Sequence, residues 1–507
     1  MTETAGASRA IPGDGEGAWP ADPVIFEINT WVWLDEVSGR LGRSADLGTL
    51  PDEAWEDVLP PGIDAVWLMG VWQRSPAGVE VAIGSESLRS SLVEALPDLT
   101  TADVVGSPYC IRNYTVDEHL GGDAGLAGAR EALRRRGLLL VLDYVPNHVA
   151  PDHPWVESHP EYFVTVPAAE AADQPDQYRI VGDRGYAMGR DPYFPPWTDV
   201  LQLHAFNPGL RAAAVATVQS IADRCDAVRC DMAMLLLDDV FSRTWGERVG
   251  APLPEPYWPT VIAAVRSAHA GFRFMAEAYW DLESTLIDQG FDACYDKRLY
   301  DRLVEVSPEA ANAHLGSDPG YQAHMVRFLE NHDEPRAAAT FPPDIHRAAA
   351  VVVATLPGVL LLHEGQLEGR HVRIPVQLSR RPDEPADAEL RAFYHRLLPV
   401  AAAMRGGTWQ RCDTTGWPDN DSHRRLLAWS WRAPEGGVHA AVVVNDAGGA
   451  SQGQVRLPWP DAEGAGQVAL VDDLAGHTFE RDGDELIGAG LFVDLGPWQA
   501  HVLTWRP

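Results

Sequence analysis

Four short segments of the sequence place charged, amide or imidazole side chains directly after an apolar run. They are DYVPNH (143–148), VRCDMAM (228–234), FMAEAYW (274–280) and FLENHDEPR (328–336). Burying such groups costs free energy unless each has a partner. Asn331, His332 and Asp333 would therefore not follow a buried segment side by side unless they serve folding or chemistry.

The carboxylates in these segments have surroundings that suit two different chemical roles. Arg229 and Asp231 are two residues apart, so in a strand their side chains leave the same face. A neighbouring guanidinium favours the charged form of a carboxylate, which predicts that Asp231 is ionised and available as a nucleophile. Glu277 lies among apolar and aromatic neighbours, which raise a carboxyl pKa as a general acid requires.

Two carboxylates with opposite roles on either side of one bond form the arrangement that cleaves glycosides through an oxocarbenium-like transition state. Asp333 is a third carboxylate, and His148 and His332 are candidate donors to hydroxyl groups. The alternative is that Arg229 and Asp231 form a buried structural pair and that Glu277 caps a loop. Polar residues at the ends of four separate segments favour a site, because structural ion pairs would scatter.

The elements that carry these residues alternate between apolar strands and helix-like stretches. Continuous apolar runs of this length are typical of a parallel sheet that is covered on both faces. Eight strand–helix repeats predict an α/β fold of the TIM type, a (β/α)8 barrel. The candidate strands lie within residues 24–33, 63–72, 138–146, 225–234, 272–280, 291–296, 325–333 and 359–365.

Helix boundaries can be predicted from capping residues. Asn207 is a candidate N-cap with Pro208 at the first helical position. Asp281 is a candidate N-cap for a helix in DLESTLIDQ (281–289), and Gly290 would lie just past its end. The three arginines at 134–136 are interpreted as a solvated helix end, where positive charge complements the helix dipole.

Two regions depart from the alternation and predict further domains. Residues 147–206 are rich in Pro, Gly, Asp and Tyr and are too long for an ordinary loop, which indicates an insertion domain after strand three. From residue 406 the pattern changes to short alternating strands, which predicts a C-terminal antiparallel β-sandwich. The predicted domain order is a flexible tail at 1–22, the barrel at 23–146 and 207–405, the insertion at 147–206, and the β domain at 406–507.

Composition limits the classes of partner. The 507-residue chain is 46% hydrophobic and has 73 acidic against 40 basic residues, a formal net charge of −33. This balance argues against nucleic acid or an anionic membrane as partner, because both require positive charge. Five sparse cysteines without CxxC spacing favour reduced thiols. The N-terminus has no basic and apolar pattern of a signal peptide, so a cytoplasmic location is expected.

The four segments, in this order, resemble the conserved regions of the α-amylase superfamily, glycoside hydrolase family 13. The stretch SPYCIRNY followed by Gly121 and Gly122 resembles the region before the third strand of that family, which carries a sugar-stacking tyrosine, here Tyr109. The barrel, the insertion after strand three and the C-terminal β domain match the layout of the family. The resemblance therefore extends over nearly the whole chain.

The resemblance implies a retaining mechanism on α-glucosidic bonds that needs no cofactor for the chemistry. Asp231 would be the nucleophile, Glu277 the acid/base and Asp333 the stabiliser of the transition state. The substrate, an α-glucan or oligosaccharide, would be bound by Tyr109, His148, Arg229, Tyr279, His332 and Arg336.

Three departures from the family pattern bear on specificity and metal binding. Many starch-cutting members carry a Lys-His pair shortly after the nucleophile, where this chain reads MAMLLL. Asn147 matches a calcium ligand of many members and is a candidate for structural calcium, but QLHAF before Asn207 lacks the acidic residue often found there. The aromatic residues of DPYFPPW are interpreted either as a sugar-stacking surface or as plain packing.

Several functions are consistent with these residues. The leading hypothesis is hydrolysis of α-1,4-linked malto-oligosaccharides or related α-glucosides, and the rival is an intracellular transglycosylase or isomerase that uses the same covalent intermediate. A non-catalytic carbohydrate-binding member is disfavoured because Asp231, Glu277 and Asp333 are all present. An unrelated barrel lyase would need a metal or lysine cluster at the strand ends, and the sequence shows only Lys297 near one.

Overall fold

The structure is a computed structural model that describes residues 18–433 and 437–506. Most of the predicted flexible tail, residues 1–17, lies outside the described residues. The end of that tail contacts the barrel: the Trp19 indole N–H donates to the carbonyl of Asp226 at 3.3 Å, and the Asp22 carboxylate accepts the N–H of Gly358 at 2.8 Å.

Eight parallel strands form a closed barrel in chain order, as the sequence predicts. Each strand pairs with the next, and the eighth pairs with the first, through registers such as Val24 opposite Leu360. The strands are β1 (Val24–Asn29), β2 (Ala65–Met69), β3 (Leu139–Tyr144), β4 (Ala227–Cys230), β5 (Arg273–Ala276), β6 (Ala293–Tyr295), β7 (Met325–Arg327) and β8 (Val359–His363).

The interior of the barrel is filled by alternate residues of its strands. One apolar cluster joins side chains from all eight strands, among them Ile25, Val141, Ala227 and Met275. Because side chains alternate along a strand, the residues two positions further on face the same interior. Those residues are Glu27, Asp143, Arg229 and Glu277, so strand geometry alone directs four charged groups to one end of the barrel.

Helices surround the barrel, and the predicted boundaries at Asn207 and at the arginines 134–136 are confirmed. Asn207 caps its helix by accepting the N–H groups of Gly209 and Leu210, and the arginines at 134–136 end the helix Gly122–Arg135. The prediction for Asp281 is wrong: its φ is +65° and the helix begins at Glu283. The longer helices are Thr30–Leu41, Pro76–Gly84, Glu86–Ala95, Gly122–Arg135, Pro208–Ala222, Asp238–Trp245, Tyr257–Ala268, Lys297–Val304, Pro308–Leu315, Pro343–Thr355 and Ala388–Met404.

The segment between β3 and the helix Pro208–Ala222 builds a small antiparallel sheet of its own. Its helices are short, with Ala168–Ala172 the longest at five residues. The outer strand of this sheet, His148–Val149, directly follows β3 and so ties the sheet to the barrel. The strands are His148–Val149, Thr165–Pro167, Tyr178–Val181, Arg184–Gly189 and Trp197–Gln202.

The C-terminal part consists of two antiparallel sheets, as predicted. A six-stranded and a three-stranded sheet share an apolar core that includes Leu426 and Leu470 from the first and Val455 and Val493 from the second. In sheet order, the strands are Thr408–Arg411, Leu426–Arg432, His439–Asn445, Ala500–Trp505, Gln467–Asp472 and His477–Asp482, and then Thr414–Thr415, Ser451–Val455 and Leu491–Leu495.

The other face of the six-stranded sheet packs against the barrel. The indole N–H groups of Trp429 and Trp431 both donate to the carbonyl of Thr355, at 3.1 and 2.7 Å. Thr355 is the last residue of the helix Pro343–Thr355, where carbonyls lack partners within the helix. These tryptophans therefore fix the two parts of the molecule to each other.

No helix within residues 18–433 and 437–506 combines the length and the hydropathy that are needed to cross a membrane.

Candidate active site

Arg229 on β4 is the centre of the charged end of the barrel. Its Nη1 donates to Asp231 Oδ1 at 2.8 Å, and its Nη2 donates to Glu277 Oε2 at 2.6 Å. Asp143 Oδ1, from the neighbouring strand β3, lies 3.7 Å from the same Nη1. One guanidinium therefore holds the predicted nucleophile and the predicted acid/base in a fixed relation.

The Arg229 side chain is fully buried, so its charge must be compensated within the protein. Besides the carboxylates, three aromatic rings lie within cation–π distance of its guanidinium carbon. They are Tyr109 at 5.1 Å, Trp67 at 5.4 Å and Tyr295 at 5.8 Å from ring centre to Arg229 Cζ. These contacts help to hold the cation in place.

Glu277 has the properties of a general acid. Its Oε2 also accepts the backbone N–H of Met232 at 2.8 Å, and its Oε1 accepts the hydroxyl of Tyr279 at 2.9 Å. Burial raises the pKa of Glu277 to about 7 although Arg229 opposes the shift. A carboxyl group with this pKa carries a proton on part of the molecules at neutral pH and can donate it.

Asp231 lies at the end of β4 with one oxygen held by Arg229. Burial raises the pKa of Asp231, and Arg229 works against that increase. The next residue, Met232, has a φ of +43°, a left-handed conformation that is uncommon outside glycine. This turn aims the Met232 N–H at Glu277 and leaves Asp231 Oδ2 as the oxygen that can face a substrate.

His332, which follows β7, contacts two predicted site residues, Asp333 and Tyr109, and also Glu27 of β1. Its Nε2 lies 2.9 Å from Asp333 Oδ2 and 2.7 Å from the Tyr109 hydroxyl, while its Nδ1 lies 2.5 Å from Glu27 Oε1. Burial lowers the pKa of His332, but the carboxylates of Asp333 and Glu27 outweigh burial and raise it well above its ordinary value.

Asp333 is the carboxylate on the open side of the site, with a side chain that is 48% exposed. Desolvation would raise the pKa of Asp333, but His332 and Arg229 lower it to about 2. Asn331 shapes this turn because its side-chain oxygen accepts the N–H groups of Asp333 and Glu334, both at 2.9 Å. The polar run of FLENHDEPR thus serves the site and the backbone that presents it.

The structure does not place Arg336 in the site. Its Nη1 donates to Glu330 Oε1 at 2.7 Å and to the carbonyl of Glu364 at 2.8 Å, and its Nε donates to the carbonyl of Val372. The side chain is buried and engaged in these bonds. The predicted contact of Arg336 with substrate is therefore replaced by a structural role in holding the segments after β7 and β8 together.

His148 lies beside Tyr109 and near the Asp199 carboxylate. It hydrogen-bonds to the backbone of Tyr109, and its ring packs on Trp197 with centroids 5.3 Å apart. Burial lowers the pKa of His148 to about 4, so at neutral pH it is an uncharged donor or acceptor. Trp197 of DPYFPPW accordingly has a packing role.

Asn147 was the candidate calcium ligand, and its surroundings do not fit a cation. Its Oδ1 accepts Nε2–H of Gln202 at 2.8 Å, and its Nδ2 donates to Gln202 Oε1 at 3.2 Å. The Asn147 carbonyl also accepts Gln202 Nε2 at 3.0 Å. The oxygens that calcium requires are thus engaged with amide hydrogens, and within the described ranges no three His, Cys, Asp or Glu side chains form a metal-binding group.

Two other aromatic residues of the insertion are exposed beside the loop that follows Glu277. Tyr193 and Phe194 have 59% and 67% of their surface exposed, and the Tyr193 ring packs edge-on against Trp280 at 4.8 Å. Trp280 and Asp281 both have positive φ, and Asp281 forms an ion pair with Arg298. We call Tyr193 and Trp280 the aromatic pair.

Three residues of the site, Glu27, Trp67 and Tyr295, were not predicted from the sequence. Trp67 donates its indole N–H to Asp143 Oδ2 at 3.1 Å, and Tyr295 contacts Arg229. Glu27 had a detectable signal, because it is the only charged residue in the mostly apolar strand VIFEIN. The two aromatic residues are not distinguishable from core residues by type or spacing.

Comparison with known proteins supports the resemblance inferred from the motifs, although no family model matches the chain. The chain is 26% identical over 416 residues to α-amylase MalA of Haloarcula japonica, which covers 78% of this chain and 51% of that protein. It is 25% identical over 184 residues to an α-1,4-glucan:maltose-1-phosphate maltosyltransferase of Cereibacter sphaeroides, which covers 35% of this chain and 23% of that protein.

Among solved structures, the maltogenic α-amylase AmyB of Thermotoga neapolitana has the same fold. The two structures match with a TM-score of 0.66 and 18% identity over 96% of this chain and 99% of the other. The fold and the charged end of its barrel define a (β/α)8 protein with a C-terminal sheet domain. In sequence and in fold, the chain is thus similar to α-amylases. The chain spans about half the length of the MalA relative (51%) and less of the maltosyltransferase (23%).

Proposed function

We propose that the protein is a retaining glycosidase that cleaves α-1,4-glucosidic bonds of malto-oligosaccharides or related α-glucosides. The observation that carries this proposal is the single buried guanidinium of Arg229, which bonds both Asp231 and Glu277. It fixes a nucleophile and a proton donor at one place, as double displacement at a sugar carbon requires.

In the first step, the Glu277 carboxyl group gives its proton to the oxygen of the scissile bond while Asp231 Oδ2 attacks the anomeric carbon. The bond between that carbon and the leaving oxygen breaks, and an ester between the sugar and Asp231 forms. Asp333, held by His332, bonds sugar hydroxyls and stabilises the positive charge that develops on the ring. Tyr109 provides a ring face against the same sugar.

In the second step, the Glu277 carboxylate takes a proton from water, and the water oxygen attacks the same carbon. The ester breaks and the Asp231 carboxylate is regenerated. Two displacements restore the original configuration of the anomeric carbon. Arg229 stays bonded to both carboxylates throughout and offsets the charge that moves between them.

The experiment that tests this proposal is product analysis on maltotriose and maltoheptaose. Asp231→Asn keeps the size of the side chain but removes the nucleophile, and we expect it to lower kcat/KM by at least roughly a thousandfold, with folding intact. Asp239→Asn, which changes an exposed aspartate of the next helix, is the matched control and should retain activity. An Asp231→Asn protein as active as the control would refute the mechanism.

The second candidate is glycosyl transfer, and the aromatic pair favours it. Trp280 lies on the loop after the acid/base and Tyr193 of the insertion packs against it, so an acceptor sugar in place of water could stack there. A transferase or isomerase would give products longer than the input or a non-reducing isomer, whereas a hydrolase gives only shorter sugars. For a transferase, Trp280→Ala should lower the ratio of transfer to hydrolysis, and an unchanged ratio would exclude the pair as the acceptor site.

A binding protein without activity is the outcome if neither substrate reacts but maltoheptaose binds. We also propose a reducing compartment for the protein, since all five cysteines are buried and unpaired. Thiol titration under denaturing conditions after purification without reductant should give five free thiols, and fewer would count against this location.

A further inference from the structure

We propose that Glu27 is a positioning residue that holds His332 doubly protonated and oriented so that the imidazolium presents an N–H to Asp333. This role concerns the stabiliser side of the site and rests on the proposed function. Glu27 lies on β1, and 305 residues separate it from His332 in sequence. Nothing in the four motif segments points to it.

The contacts of the His332 ring define its protonation. Glu27 Oε1 lies 2.5 Å from Nδ1, and Asp333 Oδ2 lies 2.9 Å from Nε2. A carboxylate can only accept a hydrogen bond, so a ring with a carboxylate at each nitrogen must donate from both. The Tyr109 hydroxyl, 2.7 Å from Nε2, can then accept from the same N–H.

The other groups around His332 do not replace Glu27. The Trp67 ring meets the imidazole edge-on at 5.5 Å, and the Tyr109 ring stacks on it at 5.3 Å. Asp143 from β3 adds negative charge, while Arg229 from β4 and Arg373 after β8 interact with Asp333 as cations. Within residues 18–433 and 437–506, Glu27 is thus the one carboxylate that contacts the nitrogen facing away from Asp333.

The burial of Glu27 suits a charge role better than a packing role. The residue is fully buried, and its Oε2 has no hydrogen-bond partner in the part of the chain that the structure describes. A glutamine could accept the Nδ1–H of a neutral histidine equally well and would bury no charge. A buried carboxylate with one partner costs free energy, which is consistent with the need for a cation at His332.

The consequence for the reaction is that Asp333 keeps one geometry over the working pH range. If His332 lost a proton while Nδ1 remained the donor, its Nε2 lone pair would face the Asp333 carboxylate, and the two would repel. Asp333 would then turn away from the sugar whose charge it stabilises. Glu27 prevents this by favouring the charged ring.

The experiment compares Glu27→Gln and Glu27→Asp with the unmodified protein in two independent measurements. The first is kcat and KM on maltoheptaose from pH 5 to 9. The second is the titration of His332 by NMR of protein labelled at the histidine ring carbons, with the signal assigned by its absence in His332→Gln. Thermal unfolding of each variant shows whether it is folded.

We expect the His332 signal of the unmodified protein not to titrate below pH 8. In Glu27→Gln the midpoint of the His332 titration should fall by at least one pH unit. The ratio of its kcat to that of the unmodified protein should fall at least tenfold as pH rises from 5.5 to 8.5. KM should change less. Glu27→Asp, which keeps the charge, should restore most of the activity lost at high pH.

The proposal would be overturned if the ratio of kcat of Glu27→Gln to kcat of the unmodified protein did not vary with pH and the His332 titration were unchanged. That result would show that Glu27 has only a packing role. If Glu27→Gln does not fold, a His332 signal that titrates below pH 8 in the unmodified protein overturns it without any variant. If the unmodified protein cleaves no glucan, the proposed function fails, while the NMR titration still decides what Glu27 does.

Discussion

Glu277 is contacted by a cation, a backbone N–H and a hydroxyl, and these contacts control when it carries a proton. Arg229 and Met232 bond one of its oxygens and Tyr279 bonds the other. All three favour the ionised carboxylate, yet burial still raises the pKa of Glu277 to about 7. Since the first step needs the protonated form, kcat/KM should decline as pH rises through about 7.

Removal of the Tyr279 hydroxyl tests how one of these contacts affects the pKa of Glu277. In Tyr279→Phe the carboxylate loses a donor, so its pKa rises and the alkaline limb of kcat/KM should move to higher pH. A hydrogen bond to a charged group is worth about 1.5–3 kcal/mol, which corresponds to a shift of about one to two pH units. The measurement is kcat/KM on maltoheptaose from pH 5 to 10.

Tyr178→Phe, a hydroxyl deletion in the sheet of the insertion, is the matched control and should leave the limb in place. A limb that moves to lower pH in Tyr279→Phe would contradict the assignment of Glu277 as the group that titrates.

Among the structural elements, the junction between β3 and the insertion is held by an amide pair. Asn147 follows β3 and Gln202 ends the strand Trp197–Gln202. Both side chains are buried, and Gln202 Nε2 also donates to the carbonyl of Leu203 at 3.0 Å. Direct hydrogen bonds between two elements therefore occupy the position of the candidate calcium site.

We expect that removal of metal does not change the stability of this junction. Thermal unfolding measured with excess EDTA and with added CaCl2 should give the same Tm. Gln202→Ala should lower the free energy of unfolding by about 1–3 kcal/mol, because the buried Asn147 amide loses its hydrogen bonds to Gln202. A Tm that falls with EDTA and recovers with calcium would show that a cation binds in spite of the pair.

A buried carboxyl group, that of Asp446, directly follows the strand His439–Asn445. Asp446 is buried, and burial raises its pKa to about 7. Because the folded pKa lies above the unfolded value, the folded state binds more protons between about pH 4 and 7, and stability falls as pH rises through that window.

Asp446→Asn should remove this pH-dependent loss. The variant is expected to be more stable than the unmodified protein at pH 8, by about 1–3 kcal/mol, with a smaller difference at pH 5. Urea unfolding followed at the two pH values provides the measurement, and activity should be unchanged because Asp446 lies in the C-terminal sheets. An equal effect at both pH values would show that the charge of Asp446 is not the cause.

For the whole molecule, the formal net charge of −33 acts against compactness. Like charges repel over distances that salt controls, since the Debye length falls from about 30 Å at 0.01 M to about 8 Å at 0.15 M ionic strength. In a surface ion pair the two charges are closer together than either Debye length, so salt screens their attraction less. Each such pair contributes only about 0–1 kcal/mol to stability. Screening should therefore reduce the repulsion more than it weakens the pairs.

We predict that Tm rises when NaCl is increased from 0.01 to 0.15 M at pH 7.5. KCl at the same ionic strength should have the same effect, and sucrose of equal osmolarity should not reproduce it. A Tm that falls with salt would indicate that local ion pairs stabilise the protein more than its net charge destabilises it.

The sequence by itself determined the barrel, the C-terminal sheets and the positions of the main carboxylates. These follow from local rules: apolar runs form the strands, and alternation along β4 and β5 turns Arg229 and Glu277 inward. The motif segments are short, so each fixes its own residues relative to one strand end. Among the predicted helix boundaries, the Asp281 cap failed, because two consecutive residues with positive φ delay the start of that helix.

Tertiary structure decided which residues distant in sequence meet, and local rules cannot show this. Arg336 belongs to a motif segment, yet Glu330 and the chain after β8 draw it into the core. Asn147 finds Gln202 only after the insertion has folded back on the barrel. Glu27 reaches His332 because closure of the barrel pairs β1 with β8, which in turn pairs with β7. This contact therefore depends on all eight strands.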